Sequence, residues 1–425
     1  MTRQTSHLAE AAVKRMRRRK RQEALIKWAG RSAFVIALGV LAGLLFSIAL
    51  IGHSAFFYKA VDLDVSFTPS ALTNTSDVEG VPDYRQSDFR PLIAESFDTR
   101  LRTEGLSHDA DEIIELLSVS GAPDALRKAL HQSPRNFGQT VSVLVPFGAQ
   151  AEQYLKGKAA PQLTADQIAL LEALRASGWI RSPLNWRFLS SVDSQDAELA
   201  GVAGALIGSI LTLLIAFVLC VPLGVGAAIY LEEFARTNRF TRFIEININN
   251  LAAVPALVFG LLGLAFLLNT VGLPRSIPLV AGIVFALRTF PTIIITTRSA
   301  LKLVPQSIRD SALSLGATPV QAVFHHKLPV ASPTIVTGII IALAQAFGET
   351  APLLMIGMVA FVPDIPEIAT DPATTLPVQI FLWSEAGSTA WHENTAAAIL
   401  VLLVVLVMLN GLAAYVRRRL EKFRN

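Results

Sequence analysis

The sequence predicts an all-α polytopic membrane protein with six transmembrane helices and a small domain inserted between the first two. Three observations carry that expectation. Apolar runs of roughly 18 or more residues recur along the chain, and about 20 helical residues cross the hydrocarbon core of a bilayer. Hydrophobic residues make up 52% of the 425 residues and charged residues only 16%. The basic excess behind the net charge of +4 sits in two terminal clusters, which places both ends on the cytoplasmic side and requires an even number of spans.

The first element is the basic stretch KRMRRRKRQEALIKWAGR, Lys14 to Arg31, in an expected cytoplasmic tail over 1–31. It leads into the first transmembrane helix, 32–52. The long basic region and the lack of a small-x-small cleavage site favour a retained anchor over a secretory signal. Beside a span, such a cluster is held by anionic membrane lipid, and nucleic-acid binding is the minor alternative. Five further spans are expected near 203–229, 250–269, 277–297, 334–360 and 395–416. The loop between the last two carries Asp364, Glu367, Asp371, Glu385 and Glu393 without lysine or arginine, and reads as outside. Loops with Arg236, Arg239 and Arg242, and with Lys302 and Arg309, read as inside.

Residues 53–198 have a different, polar character and are expected as an extracytoplasmic domain, α+β or mainly helical. LTADQIALLEALRASGW opens with Thr164 and Gln167 in capping-box spacing. Leu170, Leu171 and Leu174 follow as an apolar stripe at helical spacing. DADEIIELLSVSG and PDALRKALHQSP read as short amphipathic helices, while TVSVLVPFG alternates as a strand. No metal spacing, nucleophile motif or phosphate-binding glycine loop stands out, so a scaffold or docking role is the expectation. The single cysteine, Cys220, excludes an internal disulfide and a cysteine-based metal site. The chain has no G-x-x-x-x-G-K-[ST] motif and is not itself a P-loop ATPase.

Two segments carry functional signals. In LVPQSIRDSALSLGATPVQAVFHHKLPVASPTIVTG, Leu303 to Gly338, Pro305 opens a helix with Ile308, Ala312 and Leu315 on one face. Gly316 ends it. Thr318-Pro319 starts a second helix, which Leu328-Pro329 closes before the next span. The product is a helix–turn–helix elbow, a coupling loop over 303–333. In ALAQAFGETAPLLMIG, Glu349 stands in mid-span, where an ionised carboxylate costs roughly 2.5–3.5 kcal/mol even on lenient scales. It must face the bundle interior or a cation, and Arg288 on the preceding span is the candidate partner. Pro352 is expected to kink the helix and free a carbonyl near Gly348, and loosened backbone of this kind belongs against protein or a cavity. The alternative to a gate is a structural salt bridge between two spans.

The elbow spacing DSALSLG…KLP resembles the EAA loop of ABC-importer permeases, with Asp310 and Ser311 replacing its leading Glu-Ala. GETAPLLMIG, NINNLAAVPALVFGLLGLAF and LPVQIFLW resemble the phosphate-specific permeases of that family. This likeness covers about 200–420, and YLKGK and SPLNWRFL resemble a larger variant with an N-terminal extension. It implies a type I permease core over 199–420 in a bacterial inner membrane. Asp310, Ser311, Ala312, Gly316, Ala317, Leu328 and Pro329 would couple to a cytoplasmic ATPase. Glu349, Arg288, Gln345, Thr350 and Pro352 would line or gate the path. Gln345 stands where many members have arginine, and Arg288 where methionine is usual.

The implied partners are a second, homologous permease (PstC-like), a dimeric ATPase (PstB-like) and an extracytoplasmic phosphate-binding protein (PstS-like). No cofactor is expected on this chain, since ATP and Mg belong to the ATPase. Asn247, Asn249 and Asn250 are expected to cap the third span and to supply polar groups at the inner mouth. His325 and His326 are read as surface residues or ATPase contacts rather than metal ligands, and Gly201, Gly204 and Gly208 as helix-packing positions. The expected function is a non-enzymatic permease subunit for inorganic phosphate. A permease for another oxyanion (sulfate, molybdate or phosphonate) and a membrane-anchored sensor or scaffold are the alternatives.

Overall fold

The structure, a computed structural model, describes residues 2–67, 77–78, 81–82, 89–104, 110–132 and 138–422. The chain divides into two units, Met1–Ile51 and Gly52–Asn425. The first consists of most of helix α1 (Thr2–Gly52), in which the basic stretch and the apolar run are one continuous helix. The tail expected over 1–31 is therefore helical. Its run of Arg, Lys, Gln, Glu and Ala favours helix, and Lys27 pairs with Glu23 one turn away.

In the second unit, strand β1 (Ala60–Ser66) is the centre of a three-stranded antiparallel sheet. β4 (Thr140–Pro146) pairs along its whole length, from Ala60↔Pro146 to Ser66↔Thr140. β5 (Ile180–Arg181) adds a short edge, and β2 (Asp77–Val78) pairs separately with β3 (Val81–Pro82). Val61, Leu63 and Val65 point into the core while Asp62, Asp64 and Ser66 alternate outward. Helices α2 (Arg90–Glu104), α3 (Ala110–Ile114), α4 (Gly121–Gln132), α5 (Ala149–Leu155) and α6 (Ala165–Ala176) contribute to one apolar core, which includes Phe97, Phe147, Leu171 and Trp179. The capping box expected at α6 is formed, with the Gln167 N–H donating to Thr164 Oγ1 at 3.2 Å and the Thr164 N–H donating to Gln167 Oε1 at 3.1 Å. Helix α7 (Trp186–Ser190) follows, and its flanking chain leads into the bundle.

The bundle begins with α8 (Ala203–Ile229), followed by α9 (Arg239–Ala252), α10 (Ala256–Leu262) and α11 (Pro278–Lys302). α12 (Gln306–Ser314) and α13 (Pro319–Gln321) precede α14 (Leu328–Phe347). α15 (Ala351–Met355), α16 (Leu376–Glu385) and α17 (Thr389–Lys422) complete the chain. Residues 423–425, in the C-terminal basic run, lie outside the described residues. α11 is the central helix and packs on α8 and α14, and α14 packs on α17. Among the described residues, five helices are long and apolar enough to cross a membrane, or six if the bent pair Arg239–Ala252 and Ala256–Leu268 is counted as one span.

That bent pair departs from the expected helix over 250–269. α9 and the α10 segment, Ala256–Leu268, meet at 102°. Proline at 255 has extended backbone (φ −56°, ψ 138°) and offers no N–H, so α9 cannot run on into α10. The expected span 334–360 is also broken. α14 stops at Phe347 with Gly348 as C-cap, and α15 restarts at Ala351. Pro352 therefore begins a helix, where its ring and missing N–H are tolerated, and does not kink a continuous one. The two restarted helices touch, since a Cβ on Gly260 of α10 would lie 2.6 Å from the Pro352 carbonyl oxygen.

The glycines expected to let helices approach admit extended chain instead. A Cβ at Gly208 would fall 2.1 Å from the Thr374 carbonyl oxygen, and one at Gly201 would fall 2.4 Å from that of Ser191.

Candidate functional site

Glu349 lies in the break between α14 and α15, and its Oε1 forms an ion pair with Arg288 Nη2 of α11. The break follows from local sequence, because Gly348 ends one helix and Ala351-Pro352 starts the next. Both side chains are about one-quarter accessible, and Glu349 Oε2 is a buried acceptor that receives no hydrogen bond among the described residues. Thr350 is the N-cap residue of α15, and its carbonyl accepts from the N–H groups of Leu353 and Leu354 at 3.0 Å. Pro352 is buried, while Gln345 is exposed. The structure thus brings Glu349, Arg288, Thr350 and Pro352 to one place, and Gln345 stands in the last turn of α14 just before the break with its side chain exposed.

The elbow is formed as α12, a tight turn and a second helical arm. Gly316 takes a left-handed φ of +90° immediately after the Leu315 C-cap, which is why the turn needs glycine. Ala312 is buried, while Asp310 and Ser311 are exposed. Ile308 packs partly, but Leu315 is 90% exposed and does not share the packed face assigned to it. At the C-cap the chain leaves helical geometry, so the i+7 register no longer holds. Thr318 and Gln321 form a reciprocal capping box at 3.3 and 2.9 Å.

The second arm does not stop at Leu328-Pro329. Helical chain continues from Pro319 to Phe347, with a π-helical turn over Ala322–Lys327. The wider turn ends two residues before Pro329, where the missing proline N–H already disturbs the bonding pattern. Elbow and span are consequently one lever. His325 and His326 are exposed on this turn.

Charged residues that the sequence reading did not single out tie the elbow down. A π-helical turn at the end of α8, Tyr230–Phe234, presents two successive acids. Glu233 accepts from Lys327 Nζ at 2.6 Å, and Arg309 Nη1 of α12 stands 3.5 Å from its other oxygen. Glu232 accepts from Arg298 Nε of α11 at 3.2 Å, and Arg298 also reaches Glu245 of α9 at 2.7 Å. The signal available in the sequence was LEEF at the end of one apolar run and a lone lysine in HHKLP before another.

Asn247, Asn249 and Asn250 lie in the last turns of α9, exposed, and cap nothing on α10, whose N-cap residue is Pro255. The Asn247 amide donates to the Phe243 carbonyl at 2.7 Å within its own helix.

A further charged cluster joins the polar domain to the first turns of α17. Glu393, 2% exposed, accepts from Lys156 at 2.7 Å, Lys158 at 2.9 Å and Gln153 at 2.6 Å. Lys156 also pairs with buried Glu152 at 2.8 Å. Burial pushes the Glu152 carboxyl above the usual range, against the opposing pull of Lys156.

Two broken helices in contact, an ion pair at one break and a helical elbow continuous with the helix that breaks are features of backbone that lines a cavity in a membrane bundle. Residues 220–422 match the family described as binding-protein-dependent transport system inner membrane component, and residues 13–165 match a domain of unknown function, DUF3333. The probable ABC transporter permease protein YqgI of Bacillus subtilis is 30% identical over 55% of this chain and 83% of its own length. The phosphate transport system permease protein PstA of Yersinia pestis is 34% identical over 50% of this chain and 71% of its own. Phosphate transport system permease protein PstA 1 of Mycobacterium tuberculosis is 31% identical over 51% and 70%. The inward-facing MetNI methionine ABC transporter aligns with a TM-score of 0.42 at 19% identity, over 52% of this chain and 94% of that one. The chain belongs to the permease family of ABC importers, among its PstA-like members, and is the permease subunit of such an importer.

Proposed function

We propose that the chain imports inorganic phosphate as one of two permeases in an ATP-driven importer of a bacterial inner membrane, with both termini cytoplasmic and residues 53–198 outside. The observation that carries the reading is the placement of the Gly348–Leu354 run at a helix break, with Glu349 held by Arg288. Relatives sharing about this half of the chain, named as phosphate permeases, support the substrate. Glu349 and Arg288 act as a gate. Opening the path separates them, and the guanidinium becomes available to an anion while the carboxylate repels it. The unbonded Glu349 Oε2 leaves room for protonation, which would turn the repulsion into a donated hydrogen bond.

The elbow docks on a PstB-like ATPase dimer that binds ATP and Mg. Leu315, projecting at the tip, is the contact that fits a groove, and Asp310 and Ser311 flank it. A PstS-like binding protein delivers phosphate from outside, and a PstC-like permease forms the other wall. Movement of the elbow is passed to α14 without a joint, and through Glu233 to α8. The cluster around Glu393 favours a second contribution, in which the polar domain moves with α17 as a scaffold.

The test is uptake of radiolabelled phosphate in a strain lacking its own phosphate importers. Uptake restored by this chain with its partners, and competed by phosphate but not by sulfate or molybdate, supports the reading. Competition by those oxyanions instead would reassign the substrate.

A further inference from the structure

We propose that Arg275 receives the incoming oxyanion at the outer mouth of the path, ahead of the Glu349–Arg288 pair, a role that rests on the anion-import reading above. Arg275 lies in the connection between the α10 segment and α11. That connection belongs to the end of the bundle that carries the polar domain. There the polar domain's chain enters α8 at Ala203, and Gln379 of α16 donates to the Gly201 carbonyl at 3.2 Å. Just before α16, the Ala373 N–H donates to the Ser276 carbonyl at 2.7 Å. The elbow is tied to the opposite end of α8, at Glu233. Within 269–277 and 357–388, the chain carries Asp364, Glu367, Asp371 and Glu385, and Arg275 is the one lysine or arginine. Arg275 is exposed and makes no ion pair among the described residues, whereas Arg288 and Arg298 both meet carboxylates. An anion approaching this end is repelled by those acids and attracted by one guanidinium, whose planar fork suits two oxygens of an oxyanion.

The backbone holds this arginine in place at a cost. Ser276 has a φ of +55°, and among the described residues no other residue except glycine has a positive φ. A side chain makes such backbone unfavourable, and strain of this kind persists only where the surroundings enforce it. Here Ser276 Oγ donates to the Gly357 carbonyl at 2.6 Å, in addition to the bond from Ala373. Gly357, itself at +81°, has its Cβ position 3.5 Å from Arg275 Cδ. The strained turn therefore sets Arg275 against the chain leaving α15, the helix that begins at the break holding Glu349. One short helix links the two contacts, Glu349 with Arg288 before it and Gly357 with Arg275 after it. They lie on the order of 10 Å apart along its axis.

Uptake of radiolabelled phosphate by the chain with its partners, in a strain lacking its own phosphate importers, tests the proposal. Arg275→Met keeps the apolar stem beside Gly357 and removes the charge, and should lower uptake roughly tenfold. Arg275→Lys should retain most of it. In an Arg275→Cys variant, trimethylammonioethyl methanethiosulfonate should restore uptake and sulfonatoethyl methanethiosulfonate should not. Cys220, the other thiol on the chain, is 1% exposed, and wild type treated in parallel controls for the partners. Immunoblots of membranes check insertion. Normal uptake by Arg275→Met overturns the proposal, and so does an equal response to the two reagents, which assigns Arg275 a packing role. No phosphate uptake by wild type overturns the import reading and this one with it. Should the cysteine variant fail to insert, the methionine and lysine variants decide.

Discussion

Lys327 Nζ stands 2.6 Å from the Glu233 carboxylate, with 4% and 1% of the two side chains exposed, joining segments 94 residues apart. Lys327 sits where the elbow becomes the α14 span, and Glu233 ends α8. A buried pair of this kind is weak evidence for stability by itself, because desolvating two charges offsets most of their attraction. Its geometry matters more: it fixes where the lever of the elbow bears on the bundle.

Breaking that pair is expected to be costly. Glu233→Gln alone should lower stability by about 3–5 kcal/mol, since it leaves the buried Lys327 without its carboxylate, and Lys327→Met should cost less, since Arg309 still faces Glu233. Thermal unfolding of the purified chain in detergent measures the loss. Replacing both together should recover most of it while phosphate uptake stays low, because packing returns without the charged link. Full uptake in the double variant would limit Glu233 to a packing role.

At the helix break, Glu349→Gln keeps the shape and removes the charge facing Arg288. Radiolabelled phosphate uptake should fall by at least about tenfold, a barrier change of roughly 1.4 kcal/mol. Membrane insertion, checked by fractionation and immunoblot, should be unchanged. Normal uptake would leave only a structural salt bridge between the spans.

Gly316 has a left-handed φ of +90° and open space around its Cβ position. Gly316→Val should therefore strain the backbone, by on the order of 1–2 kcal/mol, without a steric clash. The elbow tip should shift, and uptake and ATPase co-purification should both drop. Gly226→Ala, where the helix also has open space but no positive φ, is the matched control and should behave as wild type.

Asp193 receives the Trp383 indole N–H at 3.0 Å, yet burial holds its carboxyl above the usual aspartate range. Trp383 and Ser194 hydrogen bonds oppose that rise without cancelling it. For an acid raised on folding, the unfolded chain ionises first as pH increases. Stability is then full below the unfolded value of 3.8 and falls as pH climbs through the raised folded value. Asp193→Asn should remove this loss, so the variant should melt higher than wild type at neutral pH and alike near pH 4. Parallel melting curves across that range would contradict the assignment.

Local chemistry made several elements readable in the sequence. Thr164 and Gln167 announce a capping box because the donors and acceptors they satisfy lie within one turn. The alternation of TVSVLVP matches β4 since side chains on a strand change faces at every residue. Gly316 marks the elbow turn because left-handed backbone is costly for other residues. Even Arg288 and Glu349 were legible as partners, as an intramembrane charge requires a counterpart and only a few cations are within reach.

Other features lay beyond any window of sequence. Leu315 continues an apolar period yet points outward, because the helix ends one residue too early to bury it. Pro329 reads as a stop, but a π-helical turn over Ala322–Lys327 runs straight into α14, which contains it. Such a turn adds a residue without leaving a compositional mark, and packing decides whether it forms. Pro255 marks the break before α10, but its angle of 102° is set by packing such as that of α9 on α11, and the Glu233–Lys327 pair depends on how α8 and the elbow meet. The sequence by itself determined a membrane bundle, its charged ends, its elbow and the costly carboxylate, because hydropathy, capping and desolvation act on neighbouring residues. The tertiary structure decided how the broken helices meet, which charges pair and which apolar side chains stay exposed, because those outcomes depend on contacts between residues far apart in the chain.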